Sequence, residues 1–326
     1  MPHARAVRYL GVWFDEHLSW DIHVTGAVNR AKARLFLLRR TIRAEWGLLP
    51  ELFIRLTRGA VLPNLFFGAL VWSSILRLSS RLAEIDRVLA LASRMAFGLE
   101  RTSSTEAALI LGGIMPTRHQ IMTRLIYYLL RKRKSQLLDD QSAWMPHRSY
   151  VTPVELGRTF FRRQVLGKTL TSTIPKRLSL IRHAVQEALH REWQQRWMIS
   201  ETGGQLRDVL GFIAGGWHPE DAATATRADI TMVARFLTGH FHIGDWSPAW
   251  DLETLQDCPF CGEEYFREHL VWDCPILDSV RDTTVGSFGV DRRGGLTLLA
   301  RSGSALLGRF LRTIGDLLPD EDCISN

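Results

Sequence analysis

Residues 258–275 read CPFCGEEYFREHLVWDCP, and the spacing Cys258-x2-Cys261-x7-His269-x4-Cys274 constrains the fold more than any other stretch of the chain. A CxxC pair lets two thiolates from one tight turn face the same ion, and Gly262, directly after Cys261, supplies the backbone freedom such a turn needs. His269 and Cys274 stand at the two ends of roughly one and a half helical turns, within reach of that ion. Three thiolates and an imidazole fill a tetrahedral shell, so the spacing predicts a closed, structural Zn2+ site with no position left for a catalytic water. Four cysteines in 326 residues do not make a disulfide framework, and clustering of three of them reads as metal ligation in a reducing compartment. The fourth, Cys323, lies alone in an acidic C-terminus. His240 and His242, in TGHFHIG, would share one face of a strand, but the ligand set is complete without them; they are expected to be structural or surface residues.

The net charge of +7 conceals a division. Residues 1–200 hold 31 Lys or Arg against 14 Asp or Glu, a net of +17, whereas residues 201–326 hold 10 against 20, a net of −10. Such asymmetry points to a polyanion partner for the basic half. Only five of the 41 basic residues are lysine, so the positive surface is mostly guanidinium, suited to bidentate phosphate contact. The metal-binding stretch is itself acidic: Glu263, Glu264, Glu268 and Asp273 face only Arg267 in its composition, which argues against phosphate binding there.

Hydrophobic periodicity predicts a mainly α chain: N-terminal β-strand(s), a helical bundle, then a small zinc-binding C-terminal domain. VRYLGVWFD is a β-rich run broken by Gly11, a strand leading into a turn or a second strand. Val28, Ala31, Leu35, Leu38 and Ile42 then form a helical stripe, with Arg30, Lys32, Arg39, Arg40 and Arg43 expected over the opposite arc as phosphate contacts. Further helices are expected from Pro50 to about Arg58 and beyond, from Ser80 to Phe97 before Gly98, and from Thr102 to Leu111 before Gly112-Gly113. HQIMTRLIYYLLRKRK, residues 119–134, makes an amphipathic helix whose basic end, Arg131, Lys132, Arg133 and Lys134, is a second candidate contact. Residues 136–175 lack a sustained period and read as a linker. A long helix from Lys176 to Trp197, a shorter one from Leu206 to Ala214, and Ile230–Gly239 lead to the cysteine cluster. The resulting partition is 1–20, 21–135, 136–175 and 176–326.

Residues 59–76, GAVLPNLFFGALVWSSIL, carry Pro63 and Asn64 and fall short of the ~20 apolar residues of a membrane span, so a buried helix is expected, with no membrane partner. The N-terminus shows no secretory signal; the expected location is intracellular, nuclear or cytoplasmic. Asp139-Asp140 resembles a polymerase aspartate pair, but it follows a helix end with no flanking apolar strand and is discounted. A P-loop, a GxSxG elbow and a Gly-rich phosphate cradle are absent from the sequence.

VRYLGVWFDEHLSWDIHV, a basic helix, GAVLPNLFFGALVW, EWQQRWMISETGG, LTGHFH, and finally CPFCGEEYFREHLVWDCP followed by Arg281, occur in this order from about residue 6 to 281. The series resembles the C-terminal portion of the reverse transcriptase polyprotein of non-LTR retrotransposons, including the insect site-specific and jockey-like elements. The resemblance implies that the YLG strand at residues 1–20 edges the polymerase palm, that residues 21–135 form a thumb-like basic domain, and that Cys258, Cys261, His269 and Cys274 are the ligands of a zinc knuckle. The expected partners are RNA or an RNA–DNA duplex, and the palm itself. The family's catalytic aspartates lie upstream of the YLG strand, where this sequence has MPHARA. The chain is therefore expected to be a truncated or misjoined form with no polymerase activity alone. The alternative is a zinc-stabilised protein-interaction module with no nucleic-acid role.

Overall fold

The computed structural model describes residues 5–43, 46–132, 157, 159–166, 178–211, 215–241, 257–258, 260–264, 268–288 and 295–317. The fold is mainly helical, with one two-stranded sheet near the N-terminus. The chain divides into two compact units, each assembled from separate segments: residues 1–35, 58–89 and 115–197 in the first, and 36–57, 90–114 and 198–326 in the second.

The first unit opens with strands β1 (Ala6–Tyr9) and β2 (Val12–Asp15), paired antiparallel with Tyr9 opposite Val12. The YLG turn is the two-residue connection, Leu10 at φ 46° and Gly11 at φ 87°. Positive φ at both central positions matches the right-handed twist of a hairpin. The Asp15 carboxylate then accepts the backbone N–H groups of Ser19 and Trp20, both at 2.8 Å, and folds the chain into helix α1 (Asp21–Arg39). His23, Val24, Ala27, Val28, Ala31 and Leu35 make its buried stripe. Helix α2 (Pro50–Leu56) is followed by a wide turn over Thr57–Val61, where Pro63 removes the amide donor that a regular helix would use, and by the short α3 (Leu62–Leu65). The first unit's core is built on Trp20, Val24, Phe66, Trp72, Ile121, Ile126, Val185, Trp193 and Trp197, all buried. Trp193 and Trp197 thus pack inside, on the helix Leu178–Met198, called α7 below. Among the described residues, no helix is long and apolar enough to cross a membrane.

Helix α4 (Ser79–Phe97) ends at Gly98 with φ 64°. Helix α5 (Thr105–Gly112) is capped by Ser104 and closed by Gly113 in the left-handed region, where an added Cβ would run into the carbonyl of Gly215. Helix α6 (Thr117–Lys132) starts two residues before the expected His119. After α7 come α8 (Gly204–Val209) and α9 (Arg227–Leu237), the latter opened by a capping box in which Thr226 and Asp229 satisfy each other's backbone amides. Helices α10 (Asp278–Thr283), α11 (Gly295–Ser302) and α12 (Ser304–Gly315) complete the second unit. Helix α12 packs on α9 at Gly308, where a Cβ would meet Asp229 at 2.5 Å, and Arg312 reaches the Asp229 carboxylate at 2.7 Å.

Helix α1 differs from its expectation in two ways. It stops at Arg39, and Ile42, although buried, lies outside it in a bridge to Gly47. At 3.6 residues per turn, Arg30 borders the buried stripe on one side and Lys32 and Arg39 on the other. The outermost line belongs to Ile22, Asn29, Ala33, Phe36 and Leu37, all exposed. Arg30, Lys32 and Arg39 flank the apolar stripe and do not oppose it, and Arg40 and Arg43 lie beyond the end of the helix.

Candidate metal centre

Asp257 and Glu264 pair across a bridge, and inside it the Cys258 amide donates to the Glu263 carbonyl at 2.6 Å while the Gly262 amide donates to the Cys258 carbonyl at 2.9 Å. Gly262 sits at φ 74°, the left-handed conformation that turns the CxxC loop back on itself. The other two ligands come from the turn His269–Asp273, closed by an i→i+5 bond from the Cys274 amide to the His269 carbonyl at 2.8 Å. In a regular α-helix, residues five apart point about 140° away from each other. The wider turn closes that angle and lets the imidazole and the Cys274 thiol share a point.

The four ligand atoms all lie within 4.8 Å of one another. Sγ of Cys258 and Sγ of Cys274 are 3.9 Å apart, and Sγ of Cys261 is 3.1 Å from Nε2 of His269. A tetrahedral ion with bonds of ~2.3 Å to sulfur separates its thiolates by about 3.8 Å, so the sulfur pair already stands at bonding separation. Cys258, His269 and Cys274 are buried and Cys261 is half-buried. Burial raises the Cys258 thiol above its ordinary value, and burial together with the neighbouring Cys258 pushes Cys274 up to about 12. Buried sulfur of this kind favours the neutral thiol unless a cation compensates the thiolate charge. The Cys3His cluster can hold a metal ion with all four tetrahedral positions supplied by protein.

Arg281 is the residue that spacing alone does not reveal. From α10 it donates Nε to the Val271 carbonyl and Nη2 to the Cys274 carbonyl, both at 2.8 Å, and pairs with Asp278. It thereby ties the His–Cys turn from behind. His240 bonds the Thr238 carbonyl through Nδ1 at 2.8 Å, a local role, while His242 lies outside the described residues.

The candidate phosphate contacts fall in several places. Arg30, Lys32, Arg39, Arg40, Arg43 and Arg131 are exposed, Lys132 ends α6, and Arg133, Lys134 and the Asp139-Asp140 pair lie outside the described residues. By compact unit, Arg30, Lys32, Arg131 and Lys132 belong to the first, and Arg39, Arg40 and Arg43 to the second.

Among known proteins, the chain is 24% identical over 287 residues to the retrovirus-related Pol polyprotein from type-1 retrotransposable element R1 4 of Nasonia vitripennis, covering 86% of this chain and 63% of that one. It is 24% identical over 299 residues to the putative 115 kDa protein in type-1 retrotransposable element R1DM of Drosophila melanogaster, covering 90% and 26%. It is also 24% identical over 309 residues to the retrovirus-related Pol polyprotein from type-1 retrotransposable element R1 of Bradysia coprophila, covering 95% and 27%. The chain thus spans under two thirds of the first relative and about a quarter of the other two. No family model matches the chain, and no solved structure matches it significantly. Aligned along nearly its whole length with these polyproteins, the chain is related to the Pol proteins of R1-type non-LTR retrotransposons.

Proposed function

We propose that the chain is a nucleic-acid-binding segment of a non-LTR reverse transcriptase polyprotein, its basic unit gripping RNA or an RNA–DNA duplex while a Zn2+ ion folds the region around the Cys3His cluster. The observation that carries this reading is the distribution of charge over the two compact units. The first holds 25 Lys or Arg against 10 Asp or Glu, a net of +15; the second holds 16 against 24, a net of −8. The asymmetry of the linear sequence therefore survives folding, although each unit is stitched from separate segments. A unit with that excess attracts phosphate by counterion release, largely without reading bases.

On this reading the hairpin and the helices that follow it play the part next to the polymerase palm, a thumb-like clamp, with the palm of the same polyprotein as protein partner. The partition into strand, thumb, connector and zinc-bearing C-terminal domain belongs to the proposal. Cys258, Cys261, His269 and Cys274 would hold the zinc, whose contribution is to cross-link two turns of a small acidic region. With four protein ligands the ion would leave no open position, so the cluster is a folding device and the phosphate grip lies elsewhere. The test is charge reversal in the first unit. Arg30→Glu, Lys32→Glu and Arg131→Glu together should weaken binding of a labelled RNA at least tenfold with helical content unchanged; equal affinity would refute the assignment.

A further inference from the structure

Between α1 and α2, residues 41–43 pair antiparallel with residues 46–48. Ile42 bridges Gly47, the Arg43 amide donates to the Trp46 carbonyl at 2.8 Å, and the Leu48 amide donates to the Thr41 carbonyl at 3.2 Å. Gly47, at φ 103°, is obligatory, because a Cβ there would strike the Thr41 carbonyl. The pairing is anchored from beneath within the second unit. Ile42 is buried, and the buried guanidinium of Arg227 donates Nε to the Arg43 carbonyl and Nη1 to the Leu48 carbonyl.

What this anchored pairing displays outward is unusual. Trp46 is 58% exposed, whereas a tryptophan without a surface role is mostly covered. The Arg43 guanidinium stands 5.7 Å from the centroid of the indole. Arg39 and Arg40, exposed at the end of α1, have no carboxylate partner among the described residues; Ala44 and Glu45 lie outside them. An exposed aromatic ring beside the Arg43 guanidinium, with the exposed Arg39 and Arg40 a few residues upstream, is a combination suited to single strands, since every base offers a π-face and every linkage a phosphate.

Resting on the nucleic-acid reading above, we propose that Trp46 is the stacking platform for an unpaired base of a single-stranded polynucleotide, with Arg39, Arg40 and Arg43 as phosphate contacts. A duplex, whose bases are already stacked, gains nothing from Trp46. An acidic peptide would use the arginines without needing the indole.

The test measures binding of the full chain to three labelled 20-mers: a single-stranded RNA, an abasic strand with the same phosphates, and an RNA–DNA duplex. Trp46→Ala should weaken the single-stranded RNA about tenfold and leave the abasic strand and the duplex unchanged, while Trp46→Phe should retain most of the affinity. Equal loss on all three ligands, or no loss on RNA, overturns the stacking site while leaving the wider nucleic-acid role standing. If the unaltered chain binds none of the three, both readings fall together. Because the Trp46 ring is mostly exposed, the substitutions are not expected to disturb folding, which circular dichroism checks.

Discussion

Arg281 donates to the carbonyl oxygen of Cys274 at 2.8 Å, so the last cysteine of the Cys3His cluster is held by a cation from the following helix. Its second bond, to the Val271 carbonyl, reaches the same turn, and the Cys274 carbonyl also accepts the Leu277 amide at 3.2 Å. A zinc with three thiolates carries net negative charge, which a neighbouring guanidinium also offsets. Arg281→Met should lower zinc affinity about tenfold in chelator competition, with Arg281→Lys intermediate. Unchanged affinity would reduce Arg281 to a surface residue.

Removing the ion, or its ligands, should act locally. Cys258→Ser or Cys274→Ser, and equally treatment with a strong chelator, should open the region from about residue 257 to 288 to protease while the first unit keeps its helical content. Limited proteolysis followed by mass spectrometry reads the cut sites. Identical patterns with and without metal would show that the cluster contributes nothing to folding.

Arg227 joins segments far apart in sequence. Besides Arg43 and Leu48 it donates Nη2 to the carbonyl of Ala96 at 2.8 Å, near the C-terminus of α4, where the helix dipole favours a cation. Burial lowers the pKa of this guanidinium below its ordinary value. Arg227→Ala strands these acceptors and should cost about 2–4 kcal/mol in urea unfolding. It should also loosen the pairing that carries Trp46. A cost below about 0.5 kcal/mol, the range of ordinary surface substitutions, would contradict this role.

Asp15 supplies a pH dependence whose sign is fixed by its partners. Partial burial alone would raise its pKa, but the amide donors of Ser19 and Trp20 outweigh it and hold the carboxyl below its usual value of 3.8. The folded form binds this proton less readily than the unfolded chain, so the stabilisation is present above pH ~4 and is lost as pH falls through the depressed value. Asp15→Asn should be less stable than the natural chain at pH 7, with the gap narrowing toward pH 3 in thermal melts. A gap that widens on acidification would contradict the assignment.

The Cys3His cluster was legible because the chemistry that gathers it is local: CxxC, a glycine and the His-x4-Cys spacing need only one turn each. The helices were legible where caps and periodicity agreed, as at Ser79–Phe97 and at Gly113. The course of α1 past Arg39 was not, because Ile42 keeps the helical period and is buried, yet reaches its buried position through the bridge to Gly47. Arg227, and the role of Arg281 although its position belongs to the resemblance, were not legible for a related reason: their acceptors are backbone carbonyls, which carry no residue identity for a pattern to find. Trp46 escaped notice because exposure, unlike composition, is decided by tertiary packing.

The most direct measurement is the affinity of the full chain for a 20-mer RNA as salt is raised from 50 to 200 mM. Neutralising four or more phosphates predicts a log–log slope of about −3 or steeper. A flat dependence, or no binding at the lowest salt, would contradict a polyanion role for the basic unit.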